Sequence, residues 1–152
     1  MNKKLNANKF VSLILPISCL LTGLTISTSQ AHATNAPLLR CEVTYAGTTQ
    51  QIDTQLSNDP YTAQIHDIGG RFSFKAVMIG EPNKPIHYIK LYAYLQGRDF
   101  DIPIHQATYQ ATRQAPIRVA KTMRALTPFN HLYAGEVERE MQYQCYLGWD
   151  KK

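Results

Sequence analysis

The chain has 152 residues, a formal charge of +5 and 44% hydrophobic residues. Three of its 16 basic residues, Lys3, Lys4 and Lys9, and none of its 11 acidic ones fall within the first 33 positions. Without that segment 13 basic residues face 11 acidic ones, an ordinary +2 surface that argues against nucleic acid as a partner.

The three lysines form a basic start, an apolar run follows from Phe10 to about Leu24, and Ala31-His32-Ala33 has the small-x-small pattern of a cleavage site. Residues 1–33 read as a cleavable signal peptide and 34–152 as a single secreted β-domain, periplasmic or extracellular. The apolar run contains Pro16 and Ser18 and is short for a bilayer span, so the mature form is not expected to cross a membrane. Cys19 lacks the upstream leucine of a lipoprotein leader.

Cys41 and Cys145 are the only cysteines beyond the leader. In an exported chain, two cysteines outside any C-x-x-C favour a disulfide over a metal or redox site. Such a bond needs Cα atoms about 5.5–6 Å apart, so the first and last strands must be neighbours. It closes a loop of about a hundred residues, and chain entropy credits it with at most roughly 4–5 kcal/mol.

The first strand follows a short lead-in: Leu39, Cys41, Val43 and Tyr45 alternate with Arg40, Glu42 and Thr44. Ala46-Gly47-Thr48 turns the chain into a polar strand from Thr49 to Leu56, suited to a sheet edge. Ser57-Asn58-Asp59-Pro60 is a turn cluster. The run from Tyr61 to Ile68 is expected as a short strand, ended by Gly69-Gly70. From Arg71 to Ile79, Phe72, Phe74, Ala76 and Met78 face one way and Arg71, Ser73, Lys75 and Val77 the other. After the loop of residues 80–85, the run from Tyr88 to Leu95 alternates strictly, with Ile89, Leu91, Ala93 and Leu95 on one side.

Gly97-Arg98-Asp99 leads into a strand from Phe100 to Tyr109 whose apolar side is read as Phe100, Ile102 and Ile104. Pro103 marks that strand as an edge or a bulge. Residues 110–129 do not alternate; a short helix within 117–126 and a long basic crossover loop both fit the spacing. The last strand is expected from Gly135 to Leu147, with Glu136, Glu138, Glu140, Gln142 and Gln144 on one face and Val137, Arg139, Met141, Tyr143 and Cys145 on the other. The pattern specifies an all-β fold: a small antiparallel β-sandwich or β-barrel of about 6–8 strands, closed by one disulfide between the first and last strands.

The candidate binding face is the polar side of the central strand, Tyr88, Lys90, Tyr92 and Tyr94. Amphipathic rings with polar tips suit an unknown protein or glycan partner at the cell envelope, and equally a partly covered sheet face. Arg113, Arg118, Lys121 and Arg124 form a second, basic surface for an anionic partner. No catalytic residue, cofactor or metal site is assigned. The enzyme alternative is a small secreted hydrolase using Glu136 and Glu138, which would lie about 7 Å apart on an extended strand, or Asp99 and Asp101 with His105. Asp101 and His105 would be about 13 Å apart along such a strand, too far to share an ion. A carrier barrel for a small apolar ligand is the third reading. The exported, non-enzymatic binding module using the tyrosine face ranks first.

Overall fold

The computed structural model describes residues 36–149, so the leader lies outside the described residues. Nine strands form two antiparallel sheets. They are β1 (Pro37–Tyr45), β2 (Thr48–Gln55), β3 (His66–Ile68), β4 (Phe72–Ile79), β5 (Tyr88–Leu95), β6 (Ile102–Gln110), β7 (Arg124–Ala125), β8 (Asn130–Ala134) and β9 (Arg139–Trp149). One sheet runs β2-β1-β9-β7, with β8 also along the outer edge of β9, and the other runs β3-β4-β5-β6. Among the described residues, only two single 3-10 turns, Pro60–Thr62 and Gly135–Val137, are helical, and no helix is long and apolar enough to cross a membrane.

The core is the set of inward positions that period-two alternation marks out. Leu39, Cys41 and Val43 of β1 meet Leu147, Cys145 and Tyr143 of β9 in register, and all six are buried. From the opposite sheet come Phe72, Phe74, Ala76 and Met78 of β4 with Leu95, Ala93, Leu91 and Ile89 of β5, again paired in register. Two aromatic contacts knit the sheets face to face, Tyr45 with Phe72 and Phe74 with Tyr143, each with centroids 5.1 Å apart. Cys41 and Cys145 are directly opposed and bonded, Cα to Cα 4.0 Å, so the disulfide ties the first strand to the last inside the core.

The strand neighbours follow chain order around the whole molecule: β1-β2, then β3 through β6, then β7 and β8 with β9, which returns to β1. That is the cyclic order of an up-and-down barrel. The ladder is missing at two seams, between β2 and β3 and between β6 and β8, and the molecule is consequently a two-sheet sandwich. At the first seam the chain is stitched by Ser57, whose N–H donates to the Met78 carbonyl at 3.0 Å while its own carbonyl accepts from Gly80 at 2.9 Å. At the second the chain crosses through residues 111–123 without a helix, held by single bridges from Ile117 to Ile86 and from Ala120 to Gly148.

Local chemistry explains the turns. Ala46 and Gly47 both have positive φ, +48° and +77°, the mirror-image turn that suits the right-handed twist of a hairpin. Asp59 caps the Pro60–Thr62 turn, its carboxylate accepting from the Tyr61 N–H at 2.8 Å. The polar strand β2 is an edge, as its composition requires. On its solvent face Asp53 accepts two 2.7 Å hydrogen bonds from Arg40, its partner in register on β1.

Three readings of the sequence are corrected, and one strand is added. The expected apolar side of β6 fails at Phe100, which precedes the strand and is 74% exposed. Pairing shifts register between Ala93 and Tyr94, leaving Ile104 as the extra residue, and beyond it His105, Ala107 and Tyr109 take the inward positions opposite Ala93, Leu91 and Ile89. Pro103 sits at this irregularity on an edge strand, where its missing donor costs no ladder bond. The last strand begins at Arg139: Glu138 has φ +51° after the Gly135–Val137 turn, and Arg139 is exposed. Of the run from Tyr61 to Ile68 only His66–Ile68 is strand. Asn130–Ala134, a hairpin partner of β9, has no counterpart in the sequence reading.

Candidate functional site

Antiparallel register assembles the outer face of the second sheet. On β5 Tyr88, Lys90, Tyr92 and Tyr94 point away from the core and are half-buried. β4 places Ile79, Val77, Lys75 and Ser73 opposite them, and β6 places Gln110, Thr108 and Gln106 opposite Tyr88, Lys90 and Tyr92. Directly opposed residues share a face, so the tyrosines lie between a β4 row carrying Lys75 and a β6 row of amides and a hydroxyl.

The four predicted residues do come together. With Lys75, Val77, Pro60 and Tyr61 they line an open groove of about 420 Å3. The Tyr92 and Tyr94 rings are stacked, centroids 6.3 Å apart and planes 15° from parallel. The Lys90 ammonium stands 5.4 Å from the centre of the Tyr88 ring, within cation–π range. Tyr61 projects at the rim, 91% exposed. Among the described residues no carboxylate lines the groove.

One end of the face is fixed by a polar chain. Ser73, buried despite its outward position, donates to Asp101 at 3.0 Å and accepts from Gln96 at 3.0 Å. The same Gln96 amide donates to Asp67 at 2.7 Å. Burial pushes the Tyr94 phenol up from its ordinary pKa, and the neighbouring Tyr92 and Asp101 add to this, so the ring stays neutral beside Asp101 at physiological pH.

The basic segment is a separate surface. Arg118, Lys121 and Arg124 line a cleft at the second seam, where the chain crosses from β6 to β7, while Arg113 lies outside it. All four cations are exposed. The carboxylates considered for hydrolysis do not form the expected pair. Glu136 lies within the 3-10 turn and Glu138 in left-handed backbone after it, so the extended-strand spacing between them does not exist. Glu140, on β9, is held below the usual carboxylate range by hydrogen bonds from Gln142 and His131, and it is exposed. Asp101 is engaged with Ser73 on the outer face, whereas His105 turns inward, its Nε2 2.9 Å from the hydroxyl of Tyr143. Among the described residues no group of three or more His, Cys, Asp and Glu side chains is placed to hold a metal ion.

Several groove residues were missed in the sequence. Lys75 and Val77 show only as the outward side of their own strand, and what brings them against the tyrosines is the β4–β5 register. Pro60 and Tyr61 belong to a turn cluster, and nothing in the chain before them says which sheet face that turn will border. No protein-family model matches this chain, and neither a curated protein nor a solved structure does.

Proposed function

We propose that the chain is an exported binding module that engages a glycan at the cell envelope through the groove of Tyr88, Lys90, Tyr92 and Tyr94. The N-terminal leader pattern and the Cys41–Cys145 disulfide support an oxidising compartment, periplasmic or extracellular. The observation that carries the binding role is the stacked, half-exposed Tyr92–Tyr94 pair in an open groove flanked by Lys75 and Lys90. Flat rings offer apolar contact to the faces of a sugar, while phenol, amide and ammonium groups along the same face match its hydroxyls and any acidic substituent. With Lys75 and Lys90 in the lining, no carboxylate among the described lining residues, and Asp101 only at the Tyr94 end, the groove favours neutral or anionic sugars over cationic ones.

The test is titration of the oxidised protein with neutral and uronate-containing oligosaccharides, followed by NMR shifts and calorimetry. Tyr92→Ala is expected to weaken the best ligand by about tenfold or more, as truncation of an aromatic anchor does, while the melting temperature moves by no more than a few degrees. A large loss of stability in Tyr92→Ala would make the ring structural. Failure of the whole panel to shift the groove resonances would remove the glycan reading.

A further inference from the structure

A second cleft, of about 830 Å3, opens at the seam where β6 ends and the chain crosses to β7. Its size falls in the range of about 300–1,000 Å3 that holds small ligands. Ile117, Val119 and Leu126 line it and pack half-buried against the core, with buried Leu147 behind them. Arg118 and Lys121 alternate with these apolar positions along the crossing segment, and Arg124 follows at the start of β7. All three cations are exposed, and among the described residues no carboxylate lines the cleft and none of the three is held in an ion pair. The floor is therefore greasy, and the described charges at the lip are all positive.

The wall is anchored. Ile117 bridges to Ile86 ahead of β5, and Ala120 bridges to Gly148 of β9 while its carbonyl accepts from the Trp149 N–H at 3.1 Å. Tyr109, on the β6 side, has its phenol pushed up by burial, consistent with a poorly hydrated interior beside the seam.

We propose that this seam binds a single-chain amphiphile with an anionic head, a medium- to long-chain fatty carboxylate, its chain laid along Ile117, Val119, Leu126 and Leu147 and its head held by Arg118, Lys121 and Arg124. The site is distinct from the tyrosine groove: the two share no lining residue. Neither half of the lining alone specifies this ligand. A purely apolar guest leaves three cations unmatched at the lip, and a small anion leaves the apolar floor uncovered.

The experiment is calorimetric titration of the oxidised protein with octanoate, decanoate and dodecanoate below micelle formation, at low salt. Binding is expected at one ligand per chain, with affinity rising about fourfold for each added methylene that is fully buried. Dodecanol, of the same length without the charge, should bind at least tenfold more weakly, as should dodecanoate to the Arg118→Gln/Arg124→Gln double variant. Ala125→Phe, at an exposed lining position where folding is not at stake, should block uptake, whereas Tyr92→Ala should leave it unchanged. Affinity independent of chain length would overturn the proposal in favour of a simple anion patch. Retention on phosphatidylglycerol vesicles without uptake of monomeric dodecanoate would overturn it in favour of a membrane-surface contact.

Discussion

The contact between Tyr143 and His105 makes a quantitative prediction about stability at alkaline pH. Tyr143 is 1% exposed, its hydroxyl 2.9 Å from His105 Nε2, and burial with Tyr109 nearby pushes its pKa from 10.0 to about 12. The fold thus favours the neutral phenol. Because the folded pKa lies above the unfolded one, the associated stability is fully present below pH 10 and is lost as pH rises through 12. Two units correspond to about 2.7 kcal/mol in all, of which about 1.4 kcal/mol is gone at pH 11. The assay is urea unfolding of the wild type and Tyr143→Phe at pH 8 and pH 11. At pH 8 the variant should be less stable by about 1–2 kcal/mol, having lost the hydrogen bond to His105. At pH 11 the difference should shrink by about 1.4 kcal/mol, since only the wild type must ionise this group on unfolding. Tyrosines not coupled to Tyr143, such as Tyr94 with its own raised value, titrate in both proteins and cancel in the comparison. An unchanged difference between pH 8 and pH 11 would refute the assignment of a strongly raised pKa to Tyr143.

Three further changes test the frame. Replacing Cys41 and Cys145 by Ala removes a bond spanning 104 positions, with a chain-entropy ceiling of about 4.7 kcal/mol, read as the urea midpoint against the oxidised wild type. Ala46→Asn should stabilise the protein by about 0.5–1 kcal/mol in thermal melts, because Ala46 sits at φ +48° in a mirror-image turn that Asn tolerates better. Gly148→Ala should destabilise by about 1–3 kcal/mol and raise protease cleavage within residues 117–123, since its new Cβ would stand 2.7 Å from the Met123 nitrogen, a backbone atom that cannot swing aside.

Sequence period carried much of this fold because most strands have one wet face. β5 alternates buried and half-buried through all eight positions, and its bounds coincide with those read from the sequence. The disulfide was legible because an expected export signal, only two cysteines beyond it and their wide spacing suggest few other uses for them, and the structure places those cysteines as direct partners. β6 misled for a physical reason: one extra residue at Ile104 reverses which side of the strand faces inward, and period-two reading assumes no such insertion. β8 escaped because its five residues, Asn130 to Ala134, expose His131 and Tyr133, half-bury Asn130 and Leu132 and bury only Ala134 fully, so little hydrophobic contrast marks them. Its identity as a strand comes from pairing with β9, a long-range fact. The candidate site was half legible for the same reason. The tyrosine row is local to one strand, whereas Lys75, Gln106 and Thr108 join it only through register.

Both proposed sites follow from the way the chain leaves its cyclic strand order unfinished. A fully laddered barrel would leave no seam between β6 and β8, and a helix packed on the second sheet would cover the tyrosines. Here the second seam is bridged by the extended segment 111–123, held by two isolated bridges, so its apolar residues line a cleft while its cations stay in water. The outer face of β4, β5 and β6 carries Lys75, Lys90, Gln106 and Thr108 among its rings, a mixture that can remain half-exposed without becoming an apolar patch prone to association. The disulfide contributes to both by fixing β1 against β9, whose register sets Leu147 behind the cleft and Tyr143 beneath Phe74 of β4. Reduction of the bond should therefore loosen the seam before it disturbs the β4–β5 hairpin. Hydrogen exchange would show that order as earlier loss of protection at Leu126 and Trp149, whose N–H bonds tie the stretch from Ala120 to Leu126 to β9, than at Leu91.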